Sequence, residues 1–393
     1  MSDESTVTVR MYNVGFGDAF LVTVRRHGKV WRMLVDCGVH SQGQARPIRD
    51  VVRAIIDDLR AASADGVPRL DVVVATHHHA DHISGFALPE WEDVEVAEVW
   101  LPFVEDEADP DAAALRQAQA VAAQRLLGLI ERRTHGLGPG GWPAAVVVAR
   151  WFAMNSFGNA DATDRLVGRS GQHFASEHHV RYLPSLTEEA NVIDVGVDDV
   201  TVHVLGPSRD ADDLKLMDPP TSAGWLQLEA AEDDTDGTLF PLFNAGYVVD
   251  DPGRLPESLR VARDSLHLEK VSNDAGLLTA ASILERSVNN TSVFFVLDVA
   301  GTRLLFPGDA QYGAWEHVLD DAGKRALVVD AAFYKIGHHG SHNATPKEFV
   351  EQIWHDGAYA MLPWGLVRRW QDTIPKKELL EALQAHRHTV VRA

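Results

Sequence analysis

The sequence contains a single cysteine, Cys37, among 393 residues. One cysteine excludes an intramolecular disulfide and any metal site built from several cysteine ligands. The chain also lacks an apolar run of roughly 18 uncharged residues, the length that a membrane helix needs. Its polar, acidic start does not show the basic-then-apolar pattern of a signal peptide. We therefore expect a cytoplasmic protein without a membrane segment.

Positive charge is scarce as well, because 36 Lys and Arg stand against 57 Asp and Glu, which gives a formal net charge of -21. Such an acidic surface repels phosphate backbones at long range and offers no basic stripe for long nucleic acid. A short phosphodiester held by metal ions remains compatible with this charge. The 45% of hydrophobic residues is typical of a globular protein with a sizeable core.

Histidine, in contrast, is concentrated in one short segment, residues 76–82, which reads Thr-His-His-His-Ala-Asp-His. Four side chains of metal-ligand type, His77, His79, Asp81 and His82, fall within six positions. The preceding apolar residues predict a strand, and alternation along extended backbone puts His77 and His79 on one side. Asp81 and His82 fall on the next bend and can serve a second centre. Imidazoles and carboxylates suit zinc, iron or manganese.

Further motifs accompany this segment in a fixed order along the chain. They are Asn13-Val14-Gly15-Phe16-Gly17-Asp18-Ala19, Leu34-Val35-Asp36-Cys37-Gly38, Asn289-Asn290-Thr291-Ser292, Phe306-Pro307-Gly308-Asp309-Ala310 and Lys335-Ile336-Gly337-His338-His339-Gly340-Ser341. With these motifs the chain resembles the metallo-β-lactamase fold hydrolases, and within them the hydrolase domain of the ComEC/Rec2 competence proteins and its soluble relatives. The resemblance implies a mixed α/β fold, a four-layer αββα sandwich.

The pattern along the rest of the chain is compatible with this layered fold. Alternating apolar residues predict an antiparallel meander of three strands near the start, and residues 48–59 have the apolar spacing of a helix. Two strands flanking residues 299–301 predict a hairpin. We expect a single domain, 1–393, with a helical insertion at about 105–185 and an acidic insertion at about 208–275. The helical insertion fits a lid over the site, a homodimer surface or simple bulk.

The resemblance also implies the residues of a metal site. Its metal ligands are His77 and His79 for a first ion, Asp81 and His82 for a second, the bridging carboxylate Asp309, and His338. His339 is the fallback ligand if the register is shifted by one residue. Asp18 and Asp36 are candidates for carboxylates that orient a ligand. A third histidine for the first ion is expected, and only His203 and His267 qualify. We expect one or two Zn²⁺ ions, with Mn²⁺ or Fe as alternatives.

The chemistry that the resemblance implies is hydrolysis by metal-activated water. Asp81 is expected to accept a proton from that water, and donors such as Lys335, His339, Ser341 or His342 would meet the developing negative charge. The leading hypothesis is a phosphodiesterase or nuclease-type activity on a nucleotide or short nucleic acid. Alternatives are hydrolysis of a lactone, thioester or β-lactam, and a catalytically silent metal-binding protein that recognises a partner. Serine-nucleophile, P-loop and dinucleotide motifs are missing.

Overall fold

The structure is a computed structural model, and the residues that it describes are 5–40, 43–113, 115–116, 126–128, 130–131, 134–135, 142, 146–147, 149–150, 159–169, 171–215, 219, 288–365, 367 and 374–393. The chain divides into two compact units. The first comprises Met1–Arg116, Asn155–Leu226 and Arg286–Ala393, and the second comprises Gln117–Met154 and Gln227–Glu285. Most of the predicted acidic insertion lies outside the described residues, as does His267.

The first unit contains two sheets, and the first sheet has six strands in the order β1-β2-β3-β4-β5-β6. The strands are β1 (Thr6–Met11), β2 (Ala19–Arg26), β3 (Lys29–Cys37), β4 (Arg69–Val74), β5 (Glu95–Pro102) and β6 (His179–Leu183). Strands β1 to β3 are antiparallel neighbours, so the predicted meander is confirmed. From β3 to β6 the neighbours are parallel, because longer crossover segments connect them.

The second sheet has seven strands in the order β13-β12-β11-β10-β9-β8-β7. The strands are β7 (Val192–Asp194), β8 (Val200–Gly206), β9 (Phe294–Val299), β10 (Thr302–Phe306), β11 (Ala331–Lys335), β12 (Tyr359–Leu362) and β13 (Thr389–Arg392). The predicted hairpin is the antiparallel pair β9–β10, which is thereby confirmed. Strands β10 to β13 run parallel to one another.

Seven α-helices of the described residues belong to the first unit. They are α1 (Ile48–Ala61), α2 (Ala80–Ile83), α3 (Ala160–Val167), α4 (Ala211–Lys215), α5 (Tyr312–Asp320), α6 (Ala322–Val329) and α7 (Lys377–Ala385). On α1 the buried residues are Val51, Val52, Ile55, Ile56 and Leu59. They recur every three or four positions, so one stripe of the helix faces the sheet. Among the described residues, no helix is long and apolar enough to cross a membrane.

Three apolar clusters separate four layers of this unit. Helices α1 and α3 pack on one face of the first sheet, the two sheets pack face to face, and α5 and α7 cover the outer face of the second sheet. The side chains of β2 alternate between the two faces of the first sheet. Phe20 and Val22 belong to the cluster between the sheets, whereas Leu21 belongs to the helix-facing cluster. The predicted αββα sandwich is therefore confirmed.

The predicted helical insertion contains two elements of this sandwich, α3 and β6. Strand β6 forms the edge of the first sheet and pairs with β5. Of its five residues only Leu183 is buried, three are partly buried and His179 is exposed. The sequence therefore carries little of the apolar alternation by which a strand is recognised. The remainder of that insertion lies largely outside the described residues.

Candidate metal centre

The histidine segment lies immediately after β4, where the chain leaves the sheet. His79 has extended backbone angles and precedes α2, so Asp81 and His82 occupy the first turn of that short helix. Nε2 of His77 lies 3.0 Å from Nδ1 of His79. We call this pair of nitrogens the first position. The two side chains converge, although residues 77 and 78 form a bend after β4 and not a continuation of the strand.

The backbone of α2 lies directly against Gly38, where a side chain would not fit. A Cβ added to Gly38 would lie 2.4 Å from the backbone nitrogen of His82 and 2.5 Å from the carbonyl oxygen of Ala80. The backbone N–H of Asp18 donates to the carbonyl of Asp81 at 2.9 Å, and the N–H of Gly38 donates to the carbonyl of Asp18 at 2.9 Å. The Asp-Cys-Gly motif thus supplies the space that α2 needs.

We therefore expect Gly38→Ala to destabilise the protein by about 1–3 kcal/mol, the usual range for an overpacked site, and to weaken metal loading. The new methyl group meets backbone atoms, which cannot rotate away. Gly323→Ala on α6 is the matched control, because its Cβ meets only a side-chain oxygen of Asp321 at 3.2 Å. Urea denaturation of both variants measures the difference. Equal midpoints for the two variants would refute this account of Gly38.

Four buried side chains meet at a second position, from three separate stretches of the chain. One ligand atom each from Asp81, His82, Asp309 and His339 lies within 4.8 Å of all the others. Nε2 of His82 is 3.0 Å from Oδ2 of Asp309, and Nε2 of His339 is 3.4 Å from Oδ2 of Asp81. We call this group the second position.

Asp36 orients His82 from the far side of its ring. Its Oδ2 is 2.8 Å from Nδ1 of His82, and its two oxygens also accept from the backbone N–H and the hydroxyl of Thr76. Asp36 adopts a positive φ of 57°, a conformation that Asp tolerates better than most residues. A proton on Nδ1, donated to Asp36, leaves the Nε2 lone pair for an ion.

The two adjacent histidines at 338 and 339 have different surroundings. Nδ1 of His339 lies 3.0 Å from the carbonyl oxygen of Pro363, which directs its Nε2 to Asp81. His338 is half-buried, its backbone N–H donates to Oδ1 of Asp309, and its ring lies beside Asn289. His339, the fallback ligand of the sequence prediction, is thus the member of the pair at the second position, and His338 stands outside that group.

The backbone geometry explains why His339, and not His338, lies at the second position. His338 and His339 have φ values of 44° and 52°, and such left-handed residues cost on the order of 1–3 kcal/mol each. Two successive left-handed residues follow neither the period of a strand nor that of an α-helix. Counting residues from β11 therefore does not predict which ring points inward.

Lys335 lies beneath the second position. Its amine forms an ion pair with Asp18 at 2.5 Å, and it also approaches Oδ1 of Asp309 at 3.1 Å and the carbonyl of Gly308 at 2.9 Å. The side chain is 2% exposed. Burial lowers the pKa of Lys335, but Asp18 and Asp309 outweigh burial and raise it. The amine is therefore charged and contacts three oxygens, those of Asp18, Asp309 and the Gly308 carbonyl.

Sequence reasoning missed Ser292 and Thr76 as side chains of this centre. The hydroxyl of Ser292 lies 3.2 Å from Nδ1 of His77 and accepts from the backbone N–H of Asp309. Thr76 bridges Asp36 and His77. The Asn-Asn-Thr-Ser run, one of the motifs noted in the sequence, is the signal from which Ser292 could have been found. Phe16, from the first Gly-rich motif, packs on His339 with ring centroids 3.9 Å apart.

The histidines of the two positions differ in their charge. Burial lowers the pKa of His79 to about 3, and burial with the neighbouring His82 lowers that of His77 well below its usual value. Burial also lowers the pKa of His82, but Asp309, Asp36 and Asp18 together raise it well above the ordinary value. Burial thus favours the neutral form of His77 and His79, whereas the neighbouring carboxylates favour the charged form of His82 in the metal-free chain.

We expect metal affinity to fall as the pH is lowered from about 8 to about 6, because an ion must displace the proton on His82. The raised pKa means that proton competition is already present at neutral pH and grows on acidification. Chelator competition at several pH values measures this dependence. A pH-independent affinity would contradict it.

The second position fits a divalent ion by its donor chemistry. It offers two imidazoles and two carboxylates, and each imidazole has its other nitrogen fixed by an oxygen, from Asp36 or from Pro363. Such outer partners set the tautomer of histidine ligands. Imidazole and carboxylate together suit zinc, iron or manganese. Among the described residues, no third His, Cys, Asp or Glu joins His77 and His79 in such a group.

The candidate third histidine of the sequence prediction lies elsewhere. His203 is within β8, where its register partners are Val192 and Val296. It does not belong to either of the two groups of potential ligands among the described residues.

Comparison with known proteins finds a family similarity for part of the chain. Residues 12–147 match the family model of the metallo-beta-lactamase superfamily. No curated protein matches the chain. Among solved structures, a mutant of the CmlA beta-hydroxylase aligns with 12% identity and a TM-score of 0.36, covering 100% of this chain and 53% of that one. The chain thus spans about half the length of that structure. The segment 12–147 is thus similar to the metallo-β-lactamase superfamily, and the two-sheet sandwich is consistent with that superfamily.

Proposed function

We propose that this protein is a metal-dependent hydrolase that cleaves a phosphodiester in a nucleotide or a short nucleic acid. The observation that carries the proposal is the second position, where Asp81, His82, Asp309 and His339 bring four ligand atoms within 4.8 Å of one another. The match of residues 12–147 to the superfamily supports the same class.

In this proposal each ligand has its own task. His82, Asp309 and His339 would hold the ion, and their orientations are fixed by Asp36, Lys335 and the carbonyl of Pro363. A divalent cation bound there lowers the pKa of water towards neutrality and polarises a phosphoryl or carbonyl oxygen. Asp81 is the most exposed of the four side chains, at 6%, so we assign it to the open side as the proton acceptor.

Donors to the substrate come from the loop that carries His339. His338 and His342 are half-buried, so they are reachable from the open side. We assign to them the donor role, for which the sequence prediction offered Lys335, His339, Ser341 or His342. Lys335 instead neutralises Asp18 and Asp309 beneath the site.

The choice of a phosphodiester rests on the likeness to competence-type motifs, and the choice of a short one rests on charge. A net charge of -21 opposes binding of a long polyanion, whose affinity depends on many Lys and Arg contacts. A single phosphodiester depends instead on the ion and a few neighbouring donors. The preferred substrate is therefore small.

The test uses protein stripped of metal and reloaded with Zn²⁺, Mn²⁺ or Fe²⁺. We expect turnover of bis-p-nitrophenyl phosphate, and a loss of at least about a hundredfold in Asp81→Ala because general-base help is worth that much or more. Asp57→Ala is the control, since Asp57 is 75% exposed on α1. A lactone and nitrocefin serve as the competing substrates.

Two results would overturn the proposal in different ways. Turnover of the lactone or nitrocefin alone would assign the site to carboxylic substrates. A fully loaded protein with no turnover above that of Asp81→Ala on any substrate would make the chain a metal-binding interaction protein.

A further inference from the structure

We infer that Glu105 and Asn159 are positioning residues of the metal centre, because they hold His78 from two sides and so fix His77 and His79, the two candidate ligands that flank it. The inference rests on the proposed function, since it concerns how the same centre is held in place. The resemblance on which the sequence prediction drew implies no role for Glu105 or Asn159. The two contacts on His78, the bend in which it lies and the anchoring of both partners carry the inference.

His78 is held by its side chain and by its backbone. Nδ1 of its ring lies 2.8 Å from Oε1 of Glu105, and its carbonyl oxygen accepts from Nδ2 of Asn159 at 2.7 Å. The side chains of His78 and Glu105 are 21% and 18% exposed. A hydrogen bond in such a shielded place is stronger than one at the surface. The two contacts therefore restrain the ring and the peptide group of His78 together.

These contacts act where the sheet no longer holds the chain. Strand β4 ends at Val74, and residues 77 and 78 form a bend before α2 begins at Ala80. In a strand, the pleat and the ladder of hydrogen bonds fix the direction of each side chain, whereas a bend lacks that ladder. Rotation about the backbone of His78 would turn His77 relative to His79, whose facing nitrogens lie 3.0 Å apart. Holding His78 preserves that arrangement.

Both partners of His78 belong to elements that are themselves fixed in the first unit. Glu105 ends the short 3₁₀ turn Phe103–Glu105, which directly follows β5, and β5 pairs with β4. Asn159 directly precedes α3. Arg165 of α3 is fully buried and donates to the carbonyl of Phe86, in the turn that follows α2. The histidine segment is thus connected to β5 on one side and to α3 on the other.

The experiment loads the metal-free, full-length chain with Co²⁺, whose visible absorption reports the geometry of its ligands, and measures affinity by competition with a chelator. Removal of an outer partner of a ligand lowers affinity roughly 10–100-fold, and these two residues act through one intervening residue. We therefore expect Glu105→Ala and Asn159→Ala each to weaken Co²⁺ binding by about tenfold, the lower end of that range, and to alter the absorption bands. Glu105→Gln keeps an oxygen that can accept from the imidazole, so it is expected to restore both.

A double variant tests whether Glu105 acts through His78. In a His78→Ala background, Glu105→Ala is expected to weaken Co²⁺ binding no further, because residues of one network do not act additively. Glu107→Ala and Asp161→Ala are the controls, since both side chains are exposed and lie close in the chain to Glu105 and Asn159. Neither control should change the spectrum. Urea denaturation of every variant separates a loss of stability from a change at the metal.

The outcomes separate this inference from the proposed function. A lower urea midpoint with unchanged Co²⁺ affinity and spectrum, in either alanine variant, would overturn the inference, and so would an additive loss in the His78→Ala background. Altered Co²⁺ binding in these variants, without phosphodiester turnover by the unaltered protein, would refute the proposed function and leave this inference standing. Turnover by a protein whose Co²⁺ binding is unaffected by both substitutions would do the reverse.

Discussion

His339→Ala is expected to abolish both metal retention and phosphodiester hydrolysis, whereas His338→Ala keeps the ion. His339 contributes a ligand atom at the second position, fixed by the carbonyl of Pro363. His338 contributes its backbone N–H to Asp309, and alanine preserves that donor. We expect the loss in metal affinity for His339→Ala to reach at least about a hundredfold, the upper end for removal of an outer partner of a ligand.

The two variants are a matched pair, because both residues are adjacent and both have left-handed backbone angles. Any strain that alanine experiences is therefore similar at the two positions. Elemental analysis after dialysis gives the metal content, and bis-p-nitrophenyl phosphate gives the activity. If His338→Ala loses the ion and His339→Ala retains it, the ligand assignment is reversed.

Lys335→Met is expected to destabilise the metal-free protein by about 3–5 kcal/mol, the usual cost of removing one partner of a buried ion pair. Methionine fills a similar volume but leaves Asp18 and Asp309 without the cation between them. Burial already raises the pKa of Asp18, and the amine of Lys335 opposes this rise. Removing the amine therefore raises the pKa of Asp18 further. Urea denaturation measures the change in the free energy of unfolding.

Two further variants show whether the effect comes from the ion pair. Lys347→Met removes a lysine that is 44% exposed and pairs with Glu351, and such exposed pairs contribute about 0–1 kcal/mol. Adding Asp18→Asn to Lys335→Met removes one of the stranded charges and should restore part of the stability, because the two residues are coupled. A loss in Lys335→Met no larger than that in Lys347→Met would contradict the role assigned to Lys335.

Much of the fold was predictable because regular elements impose a period on the chain. Alternation along β2 sends Phe20 and Leu21 to opposite faces of the sheet, and the spacing on α1 places Val52 and Ile56 on one stripe. Strand β6 and helix α3 escaped prediction. Each is short, and β6 is partly exposed, so neither has a long enough apolar pattern for its period to be read.

The sequence by itself determined the chemistry of the centre. It supplied imidazoles and carboxylates directly after strands β4, β10 and β11, and strand ends in layered α/β folds are where sites form. Only the tertiary structure decided that His339, and not His338, joins Asp81, His82 and Asp309 in one group of potential ligands. It likewise decided that the amine of Lys335 pairs with Asp18 and Asp309. The reason is physical. The direction of a side chain in a left-handed turn, and the approach of side chains that are more than two hundred residues apart in the chain, follow no local period. Packing of the whole unit fixes both.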